Sequence, residues 1–169
     1  MNKAKRKTTG FGFFLAILAI SVAQWGFAGG TPEDSGHGVH VDGDGVAAQG
    51  ADVVAYYSLD TGESAVEGNQ QFSSVWRGAT WLFASEENLE TFNTDPERYA
   101  PQYGGYCAWA MARDKLATID PDRWDLSDGK LYLNYSTKTR NDWLENQAED
   151  ILQANGYWLE WGRKLKNGG

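Results

Sequence analysis

An aromatic load with almost no sulfur beside it is what most constrains this chain. Its 169 residues include eight tryptophans, eight tyrosines and seven phenylalanines, but a single cysteine, Cys107. One cysteine cannot close an intrachain disulfide, so side-chain burial has to hold the fold. Aromatic side chains suit that task, because each buries a large area while ordering few rotatable bonds. All eight tyrosines and seven of the eight tryptophans lie beyond position 55, which predicts a core built from the later two thirds of the chain. The length leaves room for one ordinary domain and little more.

The first 28 residues read as a segment outside that domain. Lys3, Lys5, Arg6 and Lys7 form a basic stretch, Phe11 to Ala23 is apolar, and small residues follow at Ser21-Val22-Ala23 and Gly26-Phe27-Ala28. This is the pattern of a secretory signal peptide. The apolar run is short for a bilayer span and no stop-transfer pattern follows it. The expectation is an exported protein, periplasmic or secreted and cleaved near Ala28, with an uncleaved anchor as the alternative. Cleavage removes four basic side chains and no acid, taking the formal net charge from −8 to −12. So acidic a surface repels phosphate backbones and anionic headgroups, which argues against nucleic-acid partners and against stable membrane association after cleavage.

Residues 29–49 are rich in Gly, Asp and Ser and lack apolar periodicity, so they read as a flexible leader that carries both histidines, His37 and His40. The domain is expected over 50–155, followed by a tail over 156–169. Asp52 to Tyr57 is a β-prone run. Phe72 to Trp76 and Thr80 to Phe83 flank Arg77-Gly78 as a hairpin. Ser85 caps a helix whose Leu89 and Phe92 share a face, and Asp95-Pro96 opens a second turn. The residues after Cys107 fit strand or helix equally well. Asp120 to Trp124 reads as a capped turn, and Lys130 to Tyr135 alternates so that Leu131, Leu133 and Tyr135 face one way, Tyr132 and Asn134 the other. Arg140 to Ala154 has helical spacing, and Asn155-Gly156 is expected to stop it. Short strands with interspersed helices predict an α+β domain with a small antiparallel sheet.

The candidate chemistry gathers in Tyr99 to Ala110, where three tyrosines surround Gly104-Gly105 beside Cys107. Adjacent glycines permit backbone angles closed to other residues and allow close approach to the main chain. Tyr103, Gly104, Gly105, Tyr106 and Cys107 therefore form the proposed corner of a ligand site. Tyr56, Lys130, Tyr132 and Asn134 are its proposed opposite wall, lining an aromatic pocket for a small polar or anionic ligand. The alternative is that these tyrosines are core residues with satisfied hydroxyls. Cys107 reads either as a nucleophile, redox centre or metal ligand, or as a buried thiol beside Trp109. His37 and His40, with Asp34, Asp42 and Asp44 nearby, form a loose candidate site for copper, nickel or zinc. Asp42-Gly43-Asp44-Gly45 lacks the later acids of a calcium loop, with Val53 where the bidentate glutamate belongs, and is rejected as one. Asn134-Tyr135-Ser136 spells a glycosylation acceptor, relevant only in a eukaryotic secretory route. Phosphate loops, Ser-His-Asp order, zincin helices and paired catalytic carboxylates do not stand out.

Four runs in order carry a family resemblance. They are Gly50-Ala-Asp52-Val-Val-Ala-Tyr56-Tyr, Trp81-Leu-Phe83-Ala-Ser85-Glu-Glu-Asn88-Leu-Glu-Thr-Phe92, Asp95-Pro96-Glu97-Arg-Tyr99-Ala-Pro101-Gln-Tyr103-Gly-Gly-Tyr106-Cys107-Ala, and Gly129-Lys130-Leu-Tyr132-Leu-Asn134-Tyr135. Across roughly residues 42 to 155 the chain resembles the exported branch of the YHS domain-containing proteins. The better-known YHS and related TRASH domains are metal-associated modules, and the resemblance implies an α+β scaffold with Phe83, Ser85 and Phe92 in their family places. The positions of the family's metal-binding cysteines fall on Ala55, Ala84 and Asn88, none of which offers a soft donor. The resulting expectation is an exported, non-enzymatic binding module for a small ligand or a metal ion such as copper, iron or zinc. A small redox enzyme using Cys107 and a structural, partner-binding domain are the two rivals.

Overall fold

The computed structural model describes residues 32–166, so the signal-peptide reading and the last three residues lie outside the described part. It has an α+β architecture, with three two-stranded antiparallel sheets in place of one small sheet. The strands are β1 (Glu33–Asp34), β2 (His40–Val41), β3 (Asn69–Trp76), β4 (Ala79–Phe83), β5 (Asp120–Ser127) and β6 (Lys130–Asn134). The helices are α1 (Glu86–Thr94), α2 (Pro96–Tyr99), α3 (Ala108–Met111), α4 (Thr137–Glu145) and α5 (Gln147–Lys166).

The β3–β4 hairpin turns at Arg77-Gly78 as expected, with φ of +48° and +69°. Two left-handed residues in succession give the turn whose twist matches that of paired strands. Along β4, Ala79, Trp81 and Phe83 are buried while Thr80 and Leu82 are half-buried, the period of two that a strand with one core face requires. Ser85 caps α1 by accepting from the Asn88 amide, and Phe92 on the inner face meets Phe83 at 5.0 Å and Trp81 at 5.2 Å between ring centroids. Asp95 and Pro96 start α2 as expected.

Three segments depart from the sequence reading. The Asp52 to Tyr57 run is not extended: the Asp52 carboxylate accepts from the amides of Val54 at 2.9 Å and Ala55 at 3.1 Å, drawing the chain into a 3-10 turn over Ala55–Ser58. Local capping of this kind competes with strand pairing. Asp120 to Trp124 belongs to β5, with a register shift between Asp120 and Trp124 that accommodates Pro121. The C-terminal helix pattern is two helices broken at Asn146, and the second continues through Asn155-Gly156 to Lys166. A helical glycine costs only about 1 kcal/mol. Packing offsets that cost here, because Asn155 accepts from the Tyr103 hydroxyl at 3.1 Å and Trp158 meets the rings of Tyr103 and Tyr106 at 6.3 Å.

The flexible-leader reading fails over its described part. Val39, His40 and Val41 are buried, and Val46 bridges Thr80 in parallel, with the Ala47 amide donating to Thr80 O at 2.9 Å and the Thr80 amide to Gly45 O at 3.0 Å. Residues 45–47 thus line the free side of β4, and Val41 bridges Ala47 in turn. The aspartates that suggested a solvated leader instead hold its turns: Asp34 accepts from the Gly36 and Gly38 amides, and Asp42 from those of Asp44 and Val46.

Two hydrophobic clusters result. The larger contains Val53, Tyr56, Trp81, Phe83, Phe92, Trp124, Leu131 and Leu133, and the smaller Tyr103, Met111, Tyr132 and Trp143. Strand β6 separates them. Leu131 and Leu133 face the first and Tyr132 the second, so the expected alternation is present but both faces are covered.

Candidate functional site

Residues Gln102–Gly105 form a short 3-10 turn in which Tyr103, Gly104 and Gly105 all have positive φ, of +56°, +62° and +83°. Gly104 is required on two grounds. A Cβ there would sit 2.0 Å from the Gly38 carbonyl oxygen and 3.1 Å from the Trp158 ring, and the φ alone disfavours any L side chain. The corner is therefore a clamp that brings the N-terminal segment, the Tyr103 turn and α5 together.

The corner does not gather the expected side chains into one pocket. Tyr103 is buried with its hydroxyl on Asn155, whereas Tyr106 stacks on His40 at 5.0 Å and donates to Asp34 at 2.9 Å. Burial, and for Tyr106 the bond to Asp34, raises both phenols well above their ordinary value. Cys107 is fully buried, its S–H pointing to Asn134 Oδ1 at 3.7 Å, and desolvation pushes the thiol up. Asn134 is itself fully buried and accepts from the Trp109 amide at 3.1 Å, so its side chain is closed to glycosylation. Tyr56 belongs to the larger core, donating to Pro121 O at 2.9 Å and lying edge-on to Trp124. Lys130 is exposed at the start of β6, and Tyr132 is sandwiched between Tyr103 and Trp143.

Cys107, His37 and His40, the residues expected to hold a metal, do not form one group. Both ring nitrogens of His40 are engaged, Nδ1 with Glu33 O and Nε2 with Thr118 Oγ1, each at 3.0 Å. His37 is exposed and lies over Gly78 at the hairpin turn. Among the described residues no three His, Cys, Asp or Glu side chains are grouped so as to hold a metal ion.

A different hollow adjoins the glycine corner. A cleft of about 210 Å³ runs between the β3–β4 turn, α2, the Tyr103 turn and α5, lined by Trp76, Arg77, Trp81, Glu97, Tyr103, Gly104 and Trp158 among others. The Arg77 guanidinium lies 4.4 Å from the Trp76 ring centroid and donates to Glu97 Oε1 at 2.8 Å. Strained backbone flanks the cleft on both sides, Arg77 at φ +48° and Tyr103 at +56°. Of the expected site residues only Tyr103 and Gly104 line it. Trp76, Arg77, Trp81, Glu97 and Trp158 were missed; the one local hint was an arginine in a hairpin turn that favours Asn, Asp or Gly. A wider depression of about 440 Å³ near Gln49, Arg123 and Thr137, and one of about 230 Å³ near Gly50, Glu67 and Asp122, have no tryptophan in their walls.

Fold and cleft define the class: an α+β domain with one small aromatic, charged cleft beside a glycine clamp. The YHS domain model matches residues 62–103, and the chain contains a YHS domain there. That span reaches from the turn before β3 to Tyr103 and supplies Trp76, Arg77, Trp81 and Glu97 to the cleft. Neither the curated proteins nor the solved structures contain a match to this chain.

The metal association of the YHS class can be tested against this chain's own donors. No cysteine or histidine occurs between residues 62 and 103. Ala55, Ala84 and Asn88, the positions that the resemblance aligns with family cysteines, converge on the fully buried Asp52 carboxylate. Its Oδ1 accepts from the Ala55 amide, and its Oδ2 from the Ala84 amide at 2.8 Å and from Asn88 Nδ2 at 2.7 Å. All three groups are donors committed to one oxygen pair, a set that does not fit zinc or copper.

Proposed function

We propose that this protein is an exported, non-enzymatic YHS-type binding module whose ligand is a small molecule taken up in the cleft beside Gly104. The observation that carries the reading is the cleft itself: aromatic faces, one cation and one anion around about 210 Å³, walled by two strained turns. Ligand sites typically combine apolar walls with a few placed polar groups, and their volumes run from about 300 Å³ upward. This one is smaller, so its occupant is small. The redox alternative has less support, because a reactive thiol needs access and a depressed pKa, while Cys107 is sealed and pushed the other way.

The test is a two-dimensional NMR titration with a panel of small carboxylates, amines and sugars, with divalent metals as a separate arm. The reading expects saturable shifts at Gly104 and at the indoles of Trp76 and Trp158. Absence of any saturable shift there across the panel removes the binding function. Detection of the chain in the cytoplasmic fraction alone, with its N-terminus intact, removes the export part.

A further inference from the structure

We propose that the cleft is selective for a small carboxylate carrying a single ring or a similarly flat apolar body, with Arg77 exchanging Glu97 for the ligand's carboxylate. This deepens the reading that the cleft is a ligand site and rests on it. Arg77 is the one cation among the lining residues. Its guanidinium is held over the Trp76 ring, yet its ion pair is a single contact, Nη2 to Glu97 Oε1 at 2.8 Å. A guanidinium has five N–H donors in a rigid fork, and a free carboxylate can engage that fork with both oxygens.

Glu97 competes weakly for that position. The two side chains are 41% and 74% exposed, and pairs so open to solvent are screened and readily exchanged. The backbone, by contrast, keeps the arginine in place against a conformational cost. Arg77 occupies a left-handed turn position, and the Ser35 hydroxyl donates to its carbonyl at 2.7 Å, pinning the turn from the N-terminal segment. Residual strain at a residue that lines a cleft is the pattern expected of a group positioned for a ligand. The ring requirement follows from the half-buried indoles of Trp76 and Trp158 in the cleft wall, which favour a flat apolar partner. The net charge, −8 for the full chain and −12 after the cleavage read from the sequence, opposes an anion only weakly, since at physiological salt charges more than about 8 Å away are largely screened. Local contacts with Arg77 and Glu97 then decide selectivity.

Benzoate and its uncharged counterpart benzamide are the probes, titrated into the full chain by NMR with Gly104, the Arg77 Nε–H and the Trp158 indole as reporters. Benzoate is expected to shift all three, and benzamide to bind at least tenfold more weakly. Arg77→Gln should weaken benzoate tenfold or more. Glu97→Gln should tighten it about threefold, because the competing carboxylate is gone while the exposed position leaves the fold intact. If benzamide matches benzoate at these reporters, or Glu97→Gln weakens benzoate, carboxylate selectivity is overturned while the cleft stands as a ligand site. If these probes and the broader panel all leave the reporters unmoved, the selectivity and the underlying site fall together.

Discussion

Gly104 and Gly129 share a left-handed backbone, with φ of +62° and +69°, but not a neighbourhood. A Cβ at Gly104 collides with the Gly38 carbonyl, whereas one at Gly129 meets nothing within 4 Å. Gly129→Ala should therefore cost about 1 kcal/mol, the conformational penalty alone. Gly104→Ala adds a backbone clash and should cost at least about 3 kcal/mol, since two segments must separate to admit one methyl group. Urea unfolding of the two variants measures the difference directly. Asp52 is the polar counterpart of this clamp. Its carboxylate satisfies four donors from residues 54, 55, 84 and 88 in a site without solvent access. Asp52→Ala strands those donors and should destabilise by about 3 kcal/mol or more. Asp52→Asn replaces one acceptor oxygen with a further donor and should recover only part of the loss; equal stability of wild type and either variant would contradict the role assigned to Asp52.

At the scale of elements, α5 does what its sequence argues against. Asn155-Gly156 reads as a stop, but Trp158, two residues beyond, packs against both tyrosines of the glycine corner, and Trp161 donates to Asp114 at 2.8 Å. The helix is thus held beyond Gly156 by contacts at Trp158 and Trp161. Trp158→Ala should lower stability by about 2 kcal/mol, less than for a fully buried tryptophan because this side chain is only half-buried. Its local signature is loss of amide-exchange protection in residues 157–166 and at Gly104, ahead of the β3–β4 hairpin. Retained protection at those amides would mean that intrinsic propensity, not the corner, holds the helix.

For the whole molecule, ionisation sets the alkaline limit. Tyr56, Tyr103, Tyr106 and Cys107 all have pKa values raised by burial above the ordinary 10.0 for phenols and 9.0 for the thiol. A group whose folded pKa exceeds its unfolded pKa contributes stability that is complete below the unfolded value and lost as pH rises beyond it. Stability should thus be steady near pH 8 and fall progressively above about pH 9 to 10, as the unfolded chain releases these protons first. Urea midpoints at pH 8 and pH 10.5 test the sign, and an unchanged midpoint would contradict burial of these groups. Because Asp52 ties together the segments around Ala55, Ala84 and Asn88, the melting temperature should also be unchanged by EDTA; a fall on chelation would reveal a structural metal.

The sequence by itself determined the elements whose causes are local. Ser85 and Asp95 cap where a short oxygen can reach the next turn, Arg77-Gly78 closes a hairpin, and the alternation in Lys130 to Asn134 is a strand's. It also singled out Tyr103-Gly104 and showed that no thiolate set for a metal was available. Tertiary structure alone decided the rest, because the same local signals have different outcomes when a distant surface competes for them. Aspartates that look solvated in residues 29–49 became turn anchors once Val39 and Val41 were buried in the larger core and Val46 bridged β4. Tyr132 and Asn134, on the nominally outer face of β6, were covered by elements arriving from elsewhere in the chain. The cleft draws Trp76, Arg77, Glu97, Gly104 and Trp158 from four separate elements, and no periodicity or motif links residues so far apart in the chain; only the folded main chain brings them to one place.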